Sequence, residues 1–258
     1  MKKHFGFALA GIILISSSLV SCSKEDEFYE PDDWRGESRP PETAVVLINE
    51  LRTTFVTPKA EFVELRVLSA GTLDGLSLFI MSNTPAFVYE FPPVLVQKDE
   101  LVVLHLRTLN VHASRDELTG NLNESGGEDA SPTARDLWVA GNTKRLRSTD
   151  AVYVADREGR VLSAVMIFDE QSPPANMNFF HEALEFLYGQ GAWTAKDGGK
   201  PGLGDAVSTS SLGTTPTRSI SRDESVENTN TAADWYVSLT VNNVHGATPG
   251  RPNNPAGL

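Results

Sequence analysis

Short runs of apolar residues, separated by turn residues, fill the middle and the end of the chain. Residues 44–51 form an almost continuous apolar run, and residues 60–68 alternate between apolar and polar positions. Runs of this length and period predict β-strands, and in the second run Val63, Leu65 and Val67 should face the core. Similar patterns predict further strands at 76–81, 86–91, 101–106, 151–155, 161–168, 217–222 and 234–239.

The clearest pair of strands is predicted around a short turn. Residues 151–155 and 161–168 flank Asp156-Arg-Glu-Gly159, a sequence typical of a short, glycine-ended loop. Two β-rich runs joined in this way predict a β-hairpin. Residues 112–136 are, in contrast, long, polar and glycine-containing, and they predict a loop.

One segment interrupts the β pattern. Residues 176–188 carry apolar side chains at helical spacing, and Gly189 follows as a stop signal. The segment therefore predicts one short amphipathic helix. A glycine- and serine-rich loop that contains Trp193 follows, so we interpret residues 173–212, approximately, as an insertion in the β-rich domain.

The composition is that of a globular protein with a core. Of the 258 residues, 40% are hydrophobic and 22% are charged, which are ordinary values for such a protein. The formal net charge of −12 repels phosphate backbones and argues against nucleic acid as a partner. The β-rich pattern indicates one domain over residues 44–253, and we expect residues 254–258 to fray.

The first residues have the three parts of a bacterial export signal. Lys2 and Lys3 are basic, an apolar run follows them, and small residues precede Cys22, which is the only cysteine of the chain. The apolar run is too short to span a bilayer well. The sequence therefore predicts a signal peptide over residues 1–21, cleaved between Ser21 and Cys22.

The sequence at this junction, Leu19-Val-Ser-Cys22, resembles the lipobox of bacterial lipoproteins. The resemblance implies that the sulfur of Cys22 receives a diacylglycerol, that the new amino group is acylated, and that this lipid anchor holds the protein on a membrane. The alternative is a secreted soluble protein with a spare thiol. Residues 22–43 are acidic and proline-rich, which predicts a disordered tether.

The beginning of this tether bears on the location of the protein. The cluster Glu25-Asp26-Glu27 resembles the export tag that sends some lipoproteins of double-membraned bacteria to the outer surface. We therefore expect an outer-membrane lipoprotein of the cell envelope. Whether its domain faces the periplasm or the exterior stays open at this point.

Six short motifs follow one another in order along the β-rich part of the chain. They are Val46-Leu-Ile-Asn-Glu50, Glu61-Phe-Val-Glu-Leu65, Leu73-Asp-Gly-Leu-Ser-Leu78, Ser219-Ile-Ser-Arg222, Ala233-Asp-Trp235 and Thr248-Pro-Gly-Arg-Pro-Asn253. Together they resemble the lamin tail domain of nuclear lamins and of many bacterial envelope proteins, although the tryptophan of the third motif is absent here. The resemblance implies an immunoglobulin-like β-sandwich of about seven to nine strands. It also implies a binding or attachment module without catalytic residues.

Few residues offer catalytic or metal-binding chemistry. His181-Glu182-Ala-Leu-Glu185 begins like the helix of zinc proteases, but Glu185 stands where a second histidine is required. Glu124, Glu128 and Asp129 lie close together in the long polar loop and could bind calcium, although their spacing differs from that of a helix-loop-helix site. We predict no catalytic residues, no metal and no cofactor beyond the acyl chains, with calcium as the open alternative.

The insertion carries the candidate partner-binding residues. They are Phe179, Phe180, Leu184 and Trp193. In one interpretation their apolar face docks a partner or ligand. In the other interpretation the same side chains cap an open end or face of the sandwich, because apolar surface is costly to leave in water.

Taken together, the sequence favours a non-catalytic, lipid-anchored cell-envelope protein whose sandwich is a binding, attachment or scaffolding module. Its partner would be an envelope or extracellular protein or a glycan. One alternative is a carbohydrate-binding surface module that uses Trp138, Trp193 and Trp235. Another alternative is an accessory or degenerate metal-dependent hydrolase, with a metal in the acidic loop or near His181.

Overall fold

The computed structural model describes residues 41–57, 59–210, 214–241 and 245–253. The predicted cleavage and lipidation residues, Ser21 and Cys22, lie outside the described residues. The signal peptide, nearly all of the tether and the predicted tail at 254–258 also lie outside them. Within the described ranges, no helix has the length and apolar character needed to cross a bilayer.

Short strands and a single α-helix make up the described chain, which confirms the predicted all-β sandwich with one short helix. The strands are β1 (Val45–Arg52), β2 (Phe62–Ser69), β3 (Gly71–Thr72), β4 (Ser77–Ile80), β5 (Phe87–Glu90), β6 (Leu95–Val96), β7 (Leu101–His105), β8 (Arg135–Trp138), β9 (Asp150–Ala155), β10 (Val161–Phe168), β11 (Val207–Ser208), β12 (Ile220–Arg222) and β13 (Trp235–Val237). The helix is α1 (Asn178–Gly189), and short 3-10 turns occupy Leu203–Asp205 and Ala232–Asp234.

Six strands form the first sheet, in the order β13-β12-β1-β2-β7-β8. All neighbours are antiparallel except β7 and β8, which run parallel. Because successive side chains of a strand point to opposite faces, β2 directs Val63, Leu65 and Val67 into the main core, as its alternation predicted. On the opposite face Phe62 belongs to a second, smaller apolar cluster. Its other members are Leu101 and Val103 of β7 and Ala134, which precedes β8. Both faces of this sheet are therefore covered.

Five strands form the second sheet, in the order β11-β10-β9-β4-β5. Strands β9 and β10 are antiparallel neighbours and form the predicted hairpin. Its turn is closed by the Gly159 N–H, which donates to the Asp156 carbonyl at 2.9 Å, and Gly159 has the positive φ of +80° that favours glycine. Strands β3 and β6 pair separately in a two-stranded ribbon.

The two larger sheets face each other across the main core, to which β1 and β10 contribute Ile48 and Ile167. A direct bond also joins these strands, since the Ile48 N–H donates to the Ser163 hydroxyl at 2.9 Å. Helix α1 lies on the other side of the five-stranded sheet. There the ring of Phe180 is 5.8 Å from that of Phe168 on β10, which places the helix as a cover over this sheet.

Several short strands escaped the sequence pattern. Strand β8 begins inside the region predicted as the loop 112–136. The pattern missed this start because the first two residues, Arg135 and Asp136, are charged, although both are buried. Strand β11 and the 3-10 turn before it lie in the segment predicted as a glycine- and serine-rich loop. Strands of two residues carry too little alternation to be recognised.

Candidate functional site

Two glutamates lie side by side on the outer face of the six-stranded sheet. Glu50 on β1 is the direct cross-strand partner of Glu64 on β2, and both side chains are 0% exposed. The alternation of apolar and polar residues in β2 predicted that Glu64 lies on the face away from the main core, and the structure confirms this. That face is nevertheless covered, because the C-terminal segment 247–253 folds back over it.

Glu64 accepts hydrogen bonds from nitrogen donors at both of its oxygens. Its Oε1 accepts from the Asn49 side-chain amide at 2.8 Å, and its Oε2 accepts from the Gly250 backbone N–H at 2.6 Å. Burial, and next the charge of Glu50, raise the pKa of Glu64 well above its usual range. The side chain therefore fastens the C-terminal segment to the sheet. Burying it costs more free energy when the carboxyl group is ionised than when it is protonated.

Glu50 has a different set of partners. Its Oε1 accepts from the Thr248 backbone N–H at 2.9 Å and from the Ser219 hydroxyl, and its Oε2 accepts from the Thr248 hydroxyl at 3.3 Å. Burial raises the pKa of Glu50 to about 7, although the bond from Ser219 lowers it. Together the two glutamates hold the C-terminal segment in place.

A cavity of about 410 Å³ opens beside this segment. We call it the basic cavity, after the charged members of its lining among the described residues, which are Arg52, Lys59, His245, Arg251 and one carboxylate, Asp129. The Thr133 hydroxyl, on the same wall as Asp129, donates to the Gly250 carbonyl at 2.7 Å. The cavity is thus framed by the long polar loop on one side and by the fastened C-terminal segment on the other.

Arg52 forms the fixed floor of the basic cavity. The residue is 1% exposed, and its Nε and Nη2 both donate to the Ala60 carbonyl, at 3.0 and 2.6 Å. Its Nη1 donates to the Pro216 carbonyl at 3.3 Å, its Nη2 pairs with Asp129, and its guanidinium lies 4.9 Å from the centre of the Phe62 ring. The guanidinium is therefore held rigidly, and Asp129 neutralises its charge.

The other basic groups of the cavity are less constrained. Lys59 Nζ lies 3.7 Å from Asp129 Oδ1 and 3.4 Å from His245 Nδ1. Arg251 is exposed at the rim. Asp129 itself has a backbone φ of +65°, in the left-handed region that non-glycine residues seldom adopt. Because Asp129 is already paired with Arg52, the remaining charge of the lining is positive.

The long polar loop has a structural anchor of its own. Glu117 is fully buried and accepts from the backbone N–H groups of Asp136, at 2.8 Å, and of Glu124 and Ser125, both at 3.1 Å. Burial raises the pKa of Glu117, and the bond from Asp136 opposes this. These bonds hold the loop against β8.

The residues considered for calcium do not gather at one point. Glu124 accepts from the Thr119 hydroxyl at 3.1 Å, whereas Asp129 faces Arg52 in the basic cavity. In the segment considered for zinc, His181 is exposed and Glu185 pairs with Lys200 at 2.5 Å. Across the described ranges, no three or more histidine, cysteine, aspartate or glutamate residues are grouped as metal ligands.

The candidate partner-binding residues of the insertion lie mostly in the core. Phe180, Leu184 and Trp193 are buried, and Phe179 is partly buried and packs against the same cluster. The Trp193 indole N–H donates to the Asp205 carbonyl at 3.1 Å, so its polar atom is satisfied internally. These side chains cover the five-stranded sheet, as the second interpretation described, and they do not present a free docking face.

The tryptophans considered for carbohydrate binding are also largely occupied. Trp193 and Trp235 are buried, and the Arg222 guanidinium lies 4.4 Å from the centre of the Trp235 ring. Trp138 stacks on His105, with ring centres 3.8 Å apart. No sequence signal pointed to the basic cavity instead. Arg251 lies in the last lamin-tail-like motif and Asp129 in the acidic loop, but the residues of the lining come from separate parts of the chain and no local pattern joins them.

Comparison with known proteins gives a family and a relative. The family model TP_1001_2nd, described as a "protein second domain", matches residues 44–237. An uncharacterized protein of Treponema pallidum (strain Nichols) is 29% identical over 201 aligned positions, and the match covers 74% of this chain and 49% of that protein. The chain thus spans about half the length of this relative.

Proposed function

The chain belongs to the TP_1001_2nd family, and we propose that it is a lipid-anchored, non-catalytic binding module of the bacterial cell envelope. Acyl chains on Cys22 would hold the protein on the outer membrane, and residues 22–43 would space the sandwich from the lipid surface. The sandwich would then bind or attach an envelope component. Nucleic acid is not among the proposed partners, since the chain is strongly acidic.

The basic cavity is the observation that carries this proposal. Ligand sites are concave and hold a small number of well-placed polar groups, and most have volumes of about 300–1,000 Å³. The cavity, at about 410 Å³, lies within this range of volumes, and it concentrates basic side chains on a chain of net charge −12. A local charge opposite to that of the whole molecule favours an anionic group on the partner.

The non-catalytic part of the proposal rests on how the buried acids are used. Glu50, Glu64 and Asp150 have raised pKa values, which is common for catalytic acids. Each of them, however, is fully buried and bonded to neighbouring backbone or hydroxyl groups, such as the Ser82 N–H at 2.9 Å from Asp150 Oδ1. Their role in this arrangement is to fasten loops to the sheets.

We also propose that the sandwich is of the immunoglobulin-like, lamin-tail type. The motifs that suggested this resemblance supply the polar cover of the six-stranded sheet. Asn253 of the last motif donates to the Asn49 carbonyl at 2.9 Å and to the Arg222 carbonyl at 3.1 Å. Motifs that are separated in sequence therefore serve one structural purpose, which supports a common origin of the pattern.

Metabolic labelling tests the anchoring part of the proposal. Cells expressing the full-length chain are grown with an alkyne-tagged palmitate, and the envelope is fractionated. We expect a labelled protein that sediments with the outer membrane, and an unlabelled one when Cys22→Ala is introduced. An unlabelled wild-type chain found in the medium would contradict the proposal. Digestion of intact cells with an added protease then assigns the domain to the external or the periplasmic face.

Sedimentation tests the binding part. The full-length mature chain with Cys22→Ser lacks the acyl chains and is mixed with purified envelopes. We expect saturable retention that high salt weakens, because the contact is electrostatic. Retention that does not saturate, or no retention at all, would contradict a binding module.

A further inference from the structure

We propose that the basic cavity binds a phosphoryl group, carried either by a small soluble phosphomonoester or by a phosphorylated lipid headgroup. This inference rests on the proposed function and names the chemistry of its ligand. The phosphoryl group would lie among Lys59, His245 and Arg251, with the fixed guanidinium of Arg52 below it.

The charge of the lining is the first argument. Asp129 and Arg52 form an ion pair, so their charges cancel. Lys59 and Arg251 then leave a surplus of positive charge in a cavity with no second lining carboxylate among the described residues. Such a surplus attracts an anionic group to the cavity.

The contact between Lys59 and His245 is the second argument. Two basic groups lie 3.4 Å apart, and the nearest carboxylate oxygen is 3.7 Å from the ammonium nitrogen, beyond an ordinary hydrogen bond. The ammonium group carries more N–H donors than these contacts use. An anion placed beside the two groups could accept from the N–H donors of the ammonium that the imidazole and Asp129 leave unused.

The arrangement of the donors favours phosphoryl over carboxylate. A carboxylate is best bound by two parallel donors in one plane, as a guanidinium provides. The buried guanidinium of Arg52 already donates to the Ala60 and Pro216 carbonyls and to Asp129. The remaining donors, on Lys59, His245 and Arg251, come from separate segments. A group with three oxygens pointing in different directions can use more of them at once than a planar carboxylate can.

The walls of the cavity are built to stay in place without a ligand. The Gly250 carbonyl accepts from the Thr133 hydroxyl, and the Gly250 N–H donates to Glu64. A side chain at position 250 is excluded, since an added Cβ would lie 2.3 Å from Ser131 Cβ. A preorganised site of this kind binds without the cost of ordering its walls.

Calorimetric titration tests the inference on the full-length mature chain carrying Cys22→Ser, in chloride buffer. The probes are inorganic phosphate, glucose 6-phosphate and acetate. We expect both phosphates to bind more tightly than acetate. We also expect Lys59→Gln and Arg251→Gln each to weaken phosphate binding about tenfold or more, the effect of one lost charge-assisted hydrogen bond.

Lys196→Gln is the matched control, because Lys196 is an exposed lysine in the loop after α1, away from the lining of the basic cavity. Thermal unfolding of each variant shows whether the fold is kept. Equal binding of acetate and phosphate, or equal loss in Lys196→Gln and Lys59→Gln, would overturn the inference. A chain that is acylated and retained by envelopes but indifferent to phosphate would overturn it too, while leaving the proposed function in place.

Vesicle sedimentation distinguishes the two sources of the phosphoryl group. Phosphatidylcholine vesicles with and without phosphatidic acid are mixed with the same protein. Retention by phosphatidic acid that Lys59→Gln abolishes would support the inference with a lipid headgroup as ligand. Phosphate binding in solution without such retention would support it with a soluble phosphomonoester.

Discussion

The two large sheets cover their outer faces by opposite means. Helix α1 and Trp193 cover the five-stranded sheet with apolar side chains. Loops cover the six-stranded sheet, and they are fastened by buried acids such as Glu50, Glu64 and Glu117. Apolar packing is non-directional and depends on volume, whereas the polar cover depends on donors, acceptors and protonation.

This difference bears on where function resides. A helix packed by apolar contacts leaves its charged groups dispersed in solvent. Loops packed by hydrogen bonds bring charged residues from distant segments to one place, and the basic cavity is the result. The polar cover is thus both a structural element and the frame of the proposed binding site.

Removing a large apolar side chain should have the largest effect. Trp193→Ala deletes a fully buried indole that belongs to the same apolar cluster as Phe180 and Leu184 of α1, and it leaves the Asp205 carbonyl without its donor. We expect a loss of about 3–5 kcal/mol in the free energy of unfolding, measured by chemical denaturation. Phe186→Ala is the control, since Phe186 is 41% exposed and its loss should cost far less. Equal losses in the two variants would show that Trp193 contributes no more to the cover of the sheet than an exposed residue of the helix does.

The apolar cover could be predicted from the sequence, and the polar cover could not. The spacing that predicts α1 is local, so a short window of residues contains the whole signal. Glu64, in contrast, occupies a position of the alternation that also fits a solvent-facing residue. Its burial depends on Gly250, which is 186 positions away. Both residues lie in motifs that resemble the lamin tail domain, but the motifs alone do not show that the two residues bond to each other.

The basic cavity is a stronger case of the same limit. Arg52 ends a strand, Asp129 lies in a polar loop, and His245 follows the last strand. Each residue alone is an ordinary surface candidate. Only the tertiary structure places them together, because pairing of distant segments has no local signal in the sequence.

The stability of the polar cover should depend on pH, and that of the apolar cover should not. The expected change in the free energy of unfolding is somewhat smaller than that of Trp193→Ala. Burial raises the pKa of Glu50 from 4.5 to about 7, and it raises that of Glu64 as well. The folded state therefore binds more protons than the unfolded state, and the stability contributed by Glu50 is fully present below pH 4.5 and lost as pH rises through about 7. For Glu50 this amounts to about 3 kcal/mol.

Denaturation between pH 4.5 and 8 measures this loss. We expect the slope of stability against pH to decrease in Glu50→Gln, because a neutral amide cannot titrate. Trp193→Ala should keep the wild-type slope, since the deleted indole carries no group that changes charge in this range. A Glu50→Gln variant with the wild-type slope would show that Glu50 does not take up the proton.

The smallest expected effect, about 1–3 kcal/mol, distinguishes the two glutamates from each other. Both oxygens of Glu64 accept from N–H donors, so in Glu64→Gln the new amide must face either Asn49 or Gly250 with donor against donor. In Glu50→Gln the amide can face the Thr248 hydroxyl, which can turn and accept. At pH 5 we therefore expect Glu64→Gln to be less stable than Glu50→Gln in chemical denaturation.

Comparing Glu50→Gln with Glu64→Gln also shows which of the two glutamates holds a proton in the folded protein. The position that tolerates a neutral amide is the one that can hold a proton without losing a partner, and the bonds around Glu50 allow this. Glu50 would then be the member of the pair that holds a proton without losing a hydrogen-bond partner, while burial raises the pKa of Glu64 as well. The reverse order of stability, with Glu50→Gln the weaker variant, would place the proton on Glu64 and would require Gly250 and Asn49 to rearrange around it.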